Sequence, residues 1–385
     1  MKNKKILGAI ALSLSVFACT NSFFGCVKKP SGEKEAENGR IFDEPELSRF
    51  YNYASSVMVD GDDVHIWYCS NPSSGASGDH IFYRKGTIYE GKRYWGEKTL
   101  VLSPGEAGEW DGANVCDPSV IKGEFRYKQT DYAYLMAYLG CKTYGNYENS
   151  FGFAVANKPE GPWIKVTTPE ISPVYDFYSL YPGGGDNMQL WGTGQPSLVS
   201  ADKKGKVLVF YTKHFDPDWG EMAERWDLSD LDTPSREFSV KLEADGLTQR
   251  NSSQTDYITN ADFAYDPDRN VLFTGTDVHP FGPDYPNNIP TVARVAYAHM
   301  TSEAAGVVGG SLKSGLYWND IEQLSEDKTG NKRHSNLSFV RDPYGWTSGN
   351  AIDVIYASSD VKEEEDWALI YTWRLYGYTV NLNKQ

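Results

Sequence analysis

The chain has 385 residues, with 52 acidic against 37 basic side chains and a formal net charge of −15 at pH 7. Such an acidic surface repels nucleic acid and other polyanions, so a nucleic-acid partner is not expected and a neutral ligand is favoured over an acidic polymer. Aromatic residues make up 14% of the chain; rings at this density suit β-strands and offer flat apolar faces for stacking.

Lys2, Lys4 and Lys5 precede an apolar run from Ile6 to Phe17. That run is too short to span a bilayer but has the length of a signal-peptide core. It ends in Val16-Phe17-Ala18-Cys19, which resembles a bacterial lipobox. The resemblance implies a lipoprotein signal peptide over residues 1–18, Cys19 as the acylated N-terminus, and an exported protein held at the cell envelope by lipid alone. Phe23-Phe24-Gly25-Cys26 offers a second anchor point, and plain secretion with Cys19 incidental is the alternative. No later segment is apolar and long enough to cross a membrane. Residues 19–40 include Lys28-Lys29-Pro30-Ser31-Gly32-Glu33-Lys34-Glu35 and read as a disordered tether, too charged to build a core. Residues 41–385 suffice for one sizeable domain.

That domain repeats itself. A small or polar residue, an apolar strand start, a turn and an aromatic strand recur together. The five inner segments begin Ala54-Ser55-Ser56, Asp117-Pro118-Ser119, Gln195-Pro196-Ser197, Asn260-Ala261-Asp262 and Asn336-Leu337-Ser338. The spacing is about 70 residues, so five units fill the domain and six would not fit. Further strands are expected at Ser150–Ala156, Arg294–Ala298 and Trp367–Tyr371. Only Glu221 to Leu231 reads as a helix or, equally, a lone turn. Residues 41–50 are expected to pair with the last unit near Tyr371–Thr379 and close the ring. The predicted class is all-β, a five-bladed β-propeller with a central funnel and expected to be a monomer; a two-sheet sandwich is the rival. Of Cys69, Cys116 and Cys141, two can bridge and one stays free.

The unit Cys116-Asp117-Pro118-Ser119-Val120-Ile121, with Tyr138-Leu139-Gly140, Phe151 to Ala156 and Gly161-Pro162-Trp163, resembles a blade of the five-bladed propeller glycosidases: arabinanases, β-xylosidases, levanases and invertases. The resemblance implies a glycan, an oligo- or polysaccharide, over the first residues of the five segments. It also implies carboxyl groups from the first three blades, since glycoside hydrolysis uses paired carboxyls. Only Asp117 matches; Ala54 and Gln195 occupy the other two positions.

Two functional readings follow. In the first, the chain is a glycoside hydrolase of a neutral glycan, with Asp117 joined by carboxylates from other loops: Asp111 or Glu109 before the second inner strand, Asp256 or Asp262 around the fourth, or Glu221. Such chemistry requires no cofactor. In the second, the funnel binds a glycan without turnover, through the amides of Asn52, Asn114, Gln195, Asn260 and Asn336 and the rings of Tyr53, Trp110 and Trp191. His214 stands near the rim in both. A protein-interaction scaffold is a third reading. Set against these, Asp256 and Asp262 read as turn or strand-end residues, Trp110 and Trp191 as core, and Glu221 as surface charge. His334 resembles the fifth-blade histidine beside a central calcium in some of these propellers, and calcium would want mostly oxygen ligands.

Overall fold

The computed structural model describes residues 32–36, 39–42, 49–143, 148–177, 190–215, 218–282, 287, 289–300, 310–359 and 371–382. The leader, Cys19 and Cys26 lie outside them. A two-residue strand, β1 (Glu33–Lys34), comes first. Blade 1 follows as β2 (Tyr53–Asp60), β3 (Asp63–Ser70), β4 (His80–Tyr89) and an outer strand in two pieces, β5 (Lys92–Trp95) and β6 (Thr99–Leu102). Blade 2 is β7 (Asn114–Tyr127), β8 (Thr130–Cys141), β9 (Asn149–Ala156) and β10 (Ile164–Lys165). Blade 3 is β11 (Gly192–Ser200), β12 (Lys206–Phe215), β13 (Asp218–Asp227) and β14 (Ser235–Leu242). Blade 4 is β15 (Asp262–Asp266), β16 (Val271–Asp277), β17 (Ala293–His299) and β18 (Asn319–Leu324). Blade 5 is β19 (Ser335–Arg341), β20 (Ala351–Ser358) and β21 (Arg374–Asn381). Consecutive strands within each blade pair antiparallel. The chain is a five-bladed β-propeller.

The segment from Glu221 is strand, not helix: β13 pairs with β12 along its whole length. Residues 367–370 lie outside the described residues, and the third strand of blade 5 is β21.

Ring closure falls near the expected place. The Ile41 N–H donates to the Leu375 carbonyl at 3.0 Å, the Gly377 N–H donates to the Gly39 carbonyl at 2.7 Å, and Arg40 bridges Tyr376. Residues 39–41 thus supply the fourth strand of blade 5. The expected tether is in part docked, because β1 also pairs with β5 on the outer edge of blade 1. There the half-buried Glu35 carboxylate accepts from Trp95 Nε1 at 3.1 Å and pairs with Arg93.

The core lies between blades rather than within them. Alternation along each strand gives both sheet faces apolar side chains, so each blade must bury one face against each neighbour. Five apolar clusters do this around the ring: blades 1–2, 2–3, 3–4, 4–5 and 5–1. The last packs Val57, Ile66 and Trp95 against Ile355, Leu375 and the N-terminal Ile41 and Phe42. Each fully buried large side chain contributes roughly 1.5–3 kcal/mol. A Cys69–Cys116 disulfide, with 5.3 Å between Cα atoms, ties β3 to β7 and hence blade 1 to blade 2, leaving Cys141 as the buried free thiol.

A belt of side chains fixes the inner strands to one another. The Oγ of Ser56 accepts from the Val120 N–H at 3.1 Å, that of Ser119 from Leu198 at 2.9 Å, and that of Ser197 from Phe263 at 3.0 Å. Asp262 Oδ2 accepts from Phe339 at 2.8 Å, and Ser338 meets Ser55 at 2.8 Å. These acceptors all stand two residues after the repeat positions, except Ser55. Arg341 closes the axis beneath them, donating to the Phe263 carbonyl (2.7 Å), the Leu198 carbonyl (3.1 Å) and Ser119 Oγ (3.3 Å).

Candidate functional site

The five repeat positions share one unusual backbone conformation. Ala54, Asp117, Gln195, Asn260 and Asn336 all have left-handed φ, at 45°, 44°, 53°, 50° and 48°. In four of the blades the inner-strand register slips by a bulge at this point. Asn and Asp tolerate such a φ; for Ala and Gln it costs on the order of 1 kcal/mol each. Contacts carry the convergence across blades. Asn336 Nδ2 donates to Asn260 Oδ1 at 2.8 Å, and the Asn260 N–H donates to Thr212 Oγ1 at 2.9 Å. Opposite them the Asp117 N–H donates to Cys69 Sγ at 3.0 Å, and Ala54, Cys116 and Leu139 pack in one cluster with Trp191 and Tyr53 against it.

Asp117 retains some exposure within this mouth. Its pKa is pushed up to about 7, first by burial and then by the charge of Asp79. Asp79 was not anticipated. It stands immediately before β4, whose first residues face the funnel as those of the inner strands do. Tyr51 Oη donates to Asp79 Oδ1 at 2.5 Å, Tyr53 Oη donates to Oδ2 at 2.7 Å, and the Asp79 N–H donates to Asn114 Oδ1 at 2.8 Å. Burial raises the Asp79 pKa, while the two tyrosine hydroxyls oppose that rise. The two carboxyls therefore form a coupled pair with different environments. Asp79, with two hydroxyl donors, is the member better stabilised as the anion; Asp117 is the member that keeps its proton toward neutrality.

The other carboxylate candidates have different surroundings. Asp111 is buried and accepts from Tyr138 Oη (2.9 Å) and Lys165 Nζ (2.6 Å) on a single oxygen. Asp256 pairs with Arg294 and His279, each at 2.8 Å. Asp262 takes the serine place in the inter-blade belt and pairs with Arg341 at 3.2 Å. Cations or belt donors hold all three, so the expectation that they join Asp117 in catalysis gives way to a structural role. Glu109 caps the Glu106 N–H at 2.9 Å. Glu221 is not surface charge: it is fully buried. Its Oε2 accepts from Thr212 Oγ1 at 3.1 Å, its Oε1 lacks a partner among the described residues, and burial pushes its pKa well up. Asp277, also unanticipated, is alike: Oδ2 accepts from Asn260 Nδ2 at 3.1 Å, Oδ1 has no partner among the described residues, and burial pushes its pKa well up.

The expected amide ring is divided. Asn260 and Asn336 bond each other, and Gln195 is half-buried beside them in the repeat series. Asn52 is fully buried with neither amide atom partnered among the described residues. Asn114 is a positioning group: its Oδ1 holds Asp79 and its Nδ2 donates to Cys141 Sγ at 3.2 Å. Trp110 is not a platform, since its ring stacks on Tyr138 with centroids 5.3 Å apart and fills the space over Gly140 and Gly152. Trp191 is half-buried beside Gly194 and the disulfide, next to Asp117. His214 lies at the rim, 4.4 Å from Trp219 between ring centroids.

His334 does not fit a calcium neighbour. It is fully buried and burial pushes its pKa down to about 4, so the ring is neutral. Its Nδ1 donates to the Thr291 carbonyl at 2.9 Å, and its Nε2 accepts from Thr329 Oγ1 at 2.7 Å. That leaves the imidazole no lone pair for a cation. The one cluster of three His, Cys, Asp or Glu groups among the described residues is Cys69, Cys116 and Asp117, whose two sulfurs are bonded to each other.

No family model matches the chain, and no curated protein matches it. Solved structures do. A GH62 hydrolase in complex with xylotriose superposes with a TM-score of 0.50 at 9% identity, covering 91% of this chain and 96% of the other. A family 117 glycoside hydrolase from Zobellia galactanivorans gives 0.49 at 13%, covering 92% and 91%. The α-L-arabinofuranosidase of Podospora anserina, solved with cellotriose, gives 0.48 at 10%, covering 91% and 96%. At such identity the likeness to the GH62 structure is one of fold.

Proposed function

We propose that the funnel hydrolyses a glycan, with Asp117 as the general acid and Asp79 as its ionised partner. One observation carries this reading: two carboxyls that feel each other's charge, neither in an ion pair among the described residues, with burial and Asp79 pushing the Asp117 pKa up to about 7. A protonated Asp117 can give its proton to the leaving glycosidic oxygen, while Asp79 takes a proton from the attacking water. Ala54 and Gln195 supply no carboxyl, so the partner comes from the start of a third strand instead of an inner one. The reacting sugar is neutral, since it lies over these carboxyls. Trp191 offers it an apolar face.

The test is a panel of plant and microbial glycans, with release of reducing ends as the readout. Wild type should release sugars, and Asp117→Asn should lose about 10²–10⁴-fold in rate. Turnover that survives the substitution would remove Asp117 from the chemistry. Glycan binding without turnover is the second reading, favoured by Ala54 and Gln195; it predicts a dissociation constant that Asp117→Asn barely moves. We propose also that the protein is exported and lipid-anchored through Cys19 as a monomer. Cys19→Ala should then move it from the membrane to the soluble fraction, as seen by fractionation.

A further inference from the structure

We propose that the funnel face carries a second, off-axis subsite for an anionic group on the glycan, a uronate carboxylate or a sulfate ester several sugars from the reacting one. This rests on the reading of the funnel as a glycan site.

A file of aromatic rings crosses the face from blade 3 to blade 4. Ring centroids run His214 to Trp219 at 4.4 Å, Trp219 to Tyr257 at 5.4 Å, Tyr257 to His279 at 3.6 Å and His279 to Phe281 at 4.6 Å. Trp219 is 38% exposed, open enough to stack against the apolar face of a sugar. The file stands at the funnel end of the blades, because Trp219 begins β13 and His279 follows β16. It leads to a cavity of about 960 Å³ lined by Pro280, Phe281, Arg250, Lys332 and Arg333, and by Glu326 and Asp327. Arg250 also lines a neighbouring cavity of about 680 Å³ walled by Gln249, Asn251, Ser252, Ser253 and Gln323. Each is of the size that holds a small ligand.

Charge decides what the first cavity prefers. Across the chain acidic groups outnumber basic ones by 52 to 37, yet this concave wall has three cations against two carboxylates. Asp327 accepts from the Ser325 hydroxyl and stays an anion, held also by the charges of Lys328 and Arg250, so the excess of cations rests on Lys332 and Arg333 facing Glu326. Arg250 is braced by Nη1 donating to Thr291 Oγ1 at 3.1 Å, and neither Arg250 nor Lys332 forms an ion pair among the described residues. A braced guanidinium presents a planar fork that matches carboxylate or sulfate oxygens. The amides and hydroxyls of the second cavity suit the neutral hydroxyls of adjoining sugars.

The test uses the full chain carrying Asp117→Asn, so that ligands stay intact, and calorimetric titration with oligosaccharides of equal length. The arms are neutral xylo- or arabino-oligosaccharides, oligogalacturonates and sulfated galactan fragments. At low salt one anionic class should bind about tenfold tighter than the neutral one, and the advantage should shrink at high salt. The arm that wins identifies carboxylate or sulfate. Adding Arg250→Gln and Lys332→Gln, both at exposed positions, should abolish the advantage, weakening anionic binding more than neutral binding, and leave the melting temperature unchanged. Equal binding of neutral and anionic sugars, or an advantage that survives the double change, overturns the subsite alone. Binding of no oligosaccharide overturns the funnel reading with it.

Discussion

Asp117 and Asp256 are acidic residues near the mouth of the same ring, and their surroundings give them opposite tasks. On the blade 3–4 side, Asp256 is locked between Arg294 and His279, and Asp262 binds Arg341 and two belt donors. On the blade 1–2 side, Asp79 and Asp117 face each other's charge, with two tyrosine hydroxyls on Asp79 and the disulfide beside Asp117, and neither has an ion pair among the described residues. A carboxylate with a buried cation is committed to the fold, because neither charge can leave without exposing the other. A carboxyl without one keeps its proton to higher pH, and where it also stays open to the mouth, as Asp117 does, it is available for proton transfer. Position in the repeat does not separate the two kinds; the placement of arginine does.

Three measurements would break or sharpen that contrast. Asp256→Ala takes the closer carboxylate from the buried Arg294, leaving it Asp320 at 3.4 Å, and should cost about 3 kcal/mol in urea unfolding. A loss under 1 kcal/mol would mean the pair is not what holds blade 4. Asp117→Asn should act in the opposite direction and depend on pH. The folded carboxyl keeps its proton up to about pH 7, whereas the unfolded one ionises near its ordinary value of 3.8. The folded state thus binds more protons across that window, so stability falls as pH rises through it and levels off above. The Asn variant should match wild type at pH 4 and exceed it at pH 8 by about 2 kcal/mol, allowing for the partial exposure of the group. A variant no more stable at pH 8 would show that Asp117 ionises normally. Smallest of the three, Asp79→Asn should move the Asp117 titration downward, read by NMR of a labelled Asp. It should not bring Asp117 to the ordinary carboxylate range, since burial is the larger cause and Asp79 the lesser.

Much of the fold was legible because repetition is local: the five segments announce themselves by their own residues. They also marked the positions that proved left-handed, although no single one of them carries a glycine to signal it. The site was only half legible. Asp117 stands in the repeat and was found there. Asp79 was missed because it precedes a third strand, where no repeat signature drew the eye. Asp256 and Asp262 drew a catalytic reading because their cations are distant in sequence, Arg294 on β17 and Arg341 on β19. Glu221 read as surface charge because a strand entering the funnel side of blade 3 cannot be told from one facing water until Thr212 and Asn260 are placed over it.

Residues 33–35 pair along the outer edge of blade 1, and residues 39–41 along the outer edge of blade 5. The seam of the ring is therefore sewn by the beginning of the chain to its end, so the wheel cannot lock until residues near 377 have left the ribosome. Both stretches lie on the perimeter, so neither covers the mouth of the funnel.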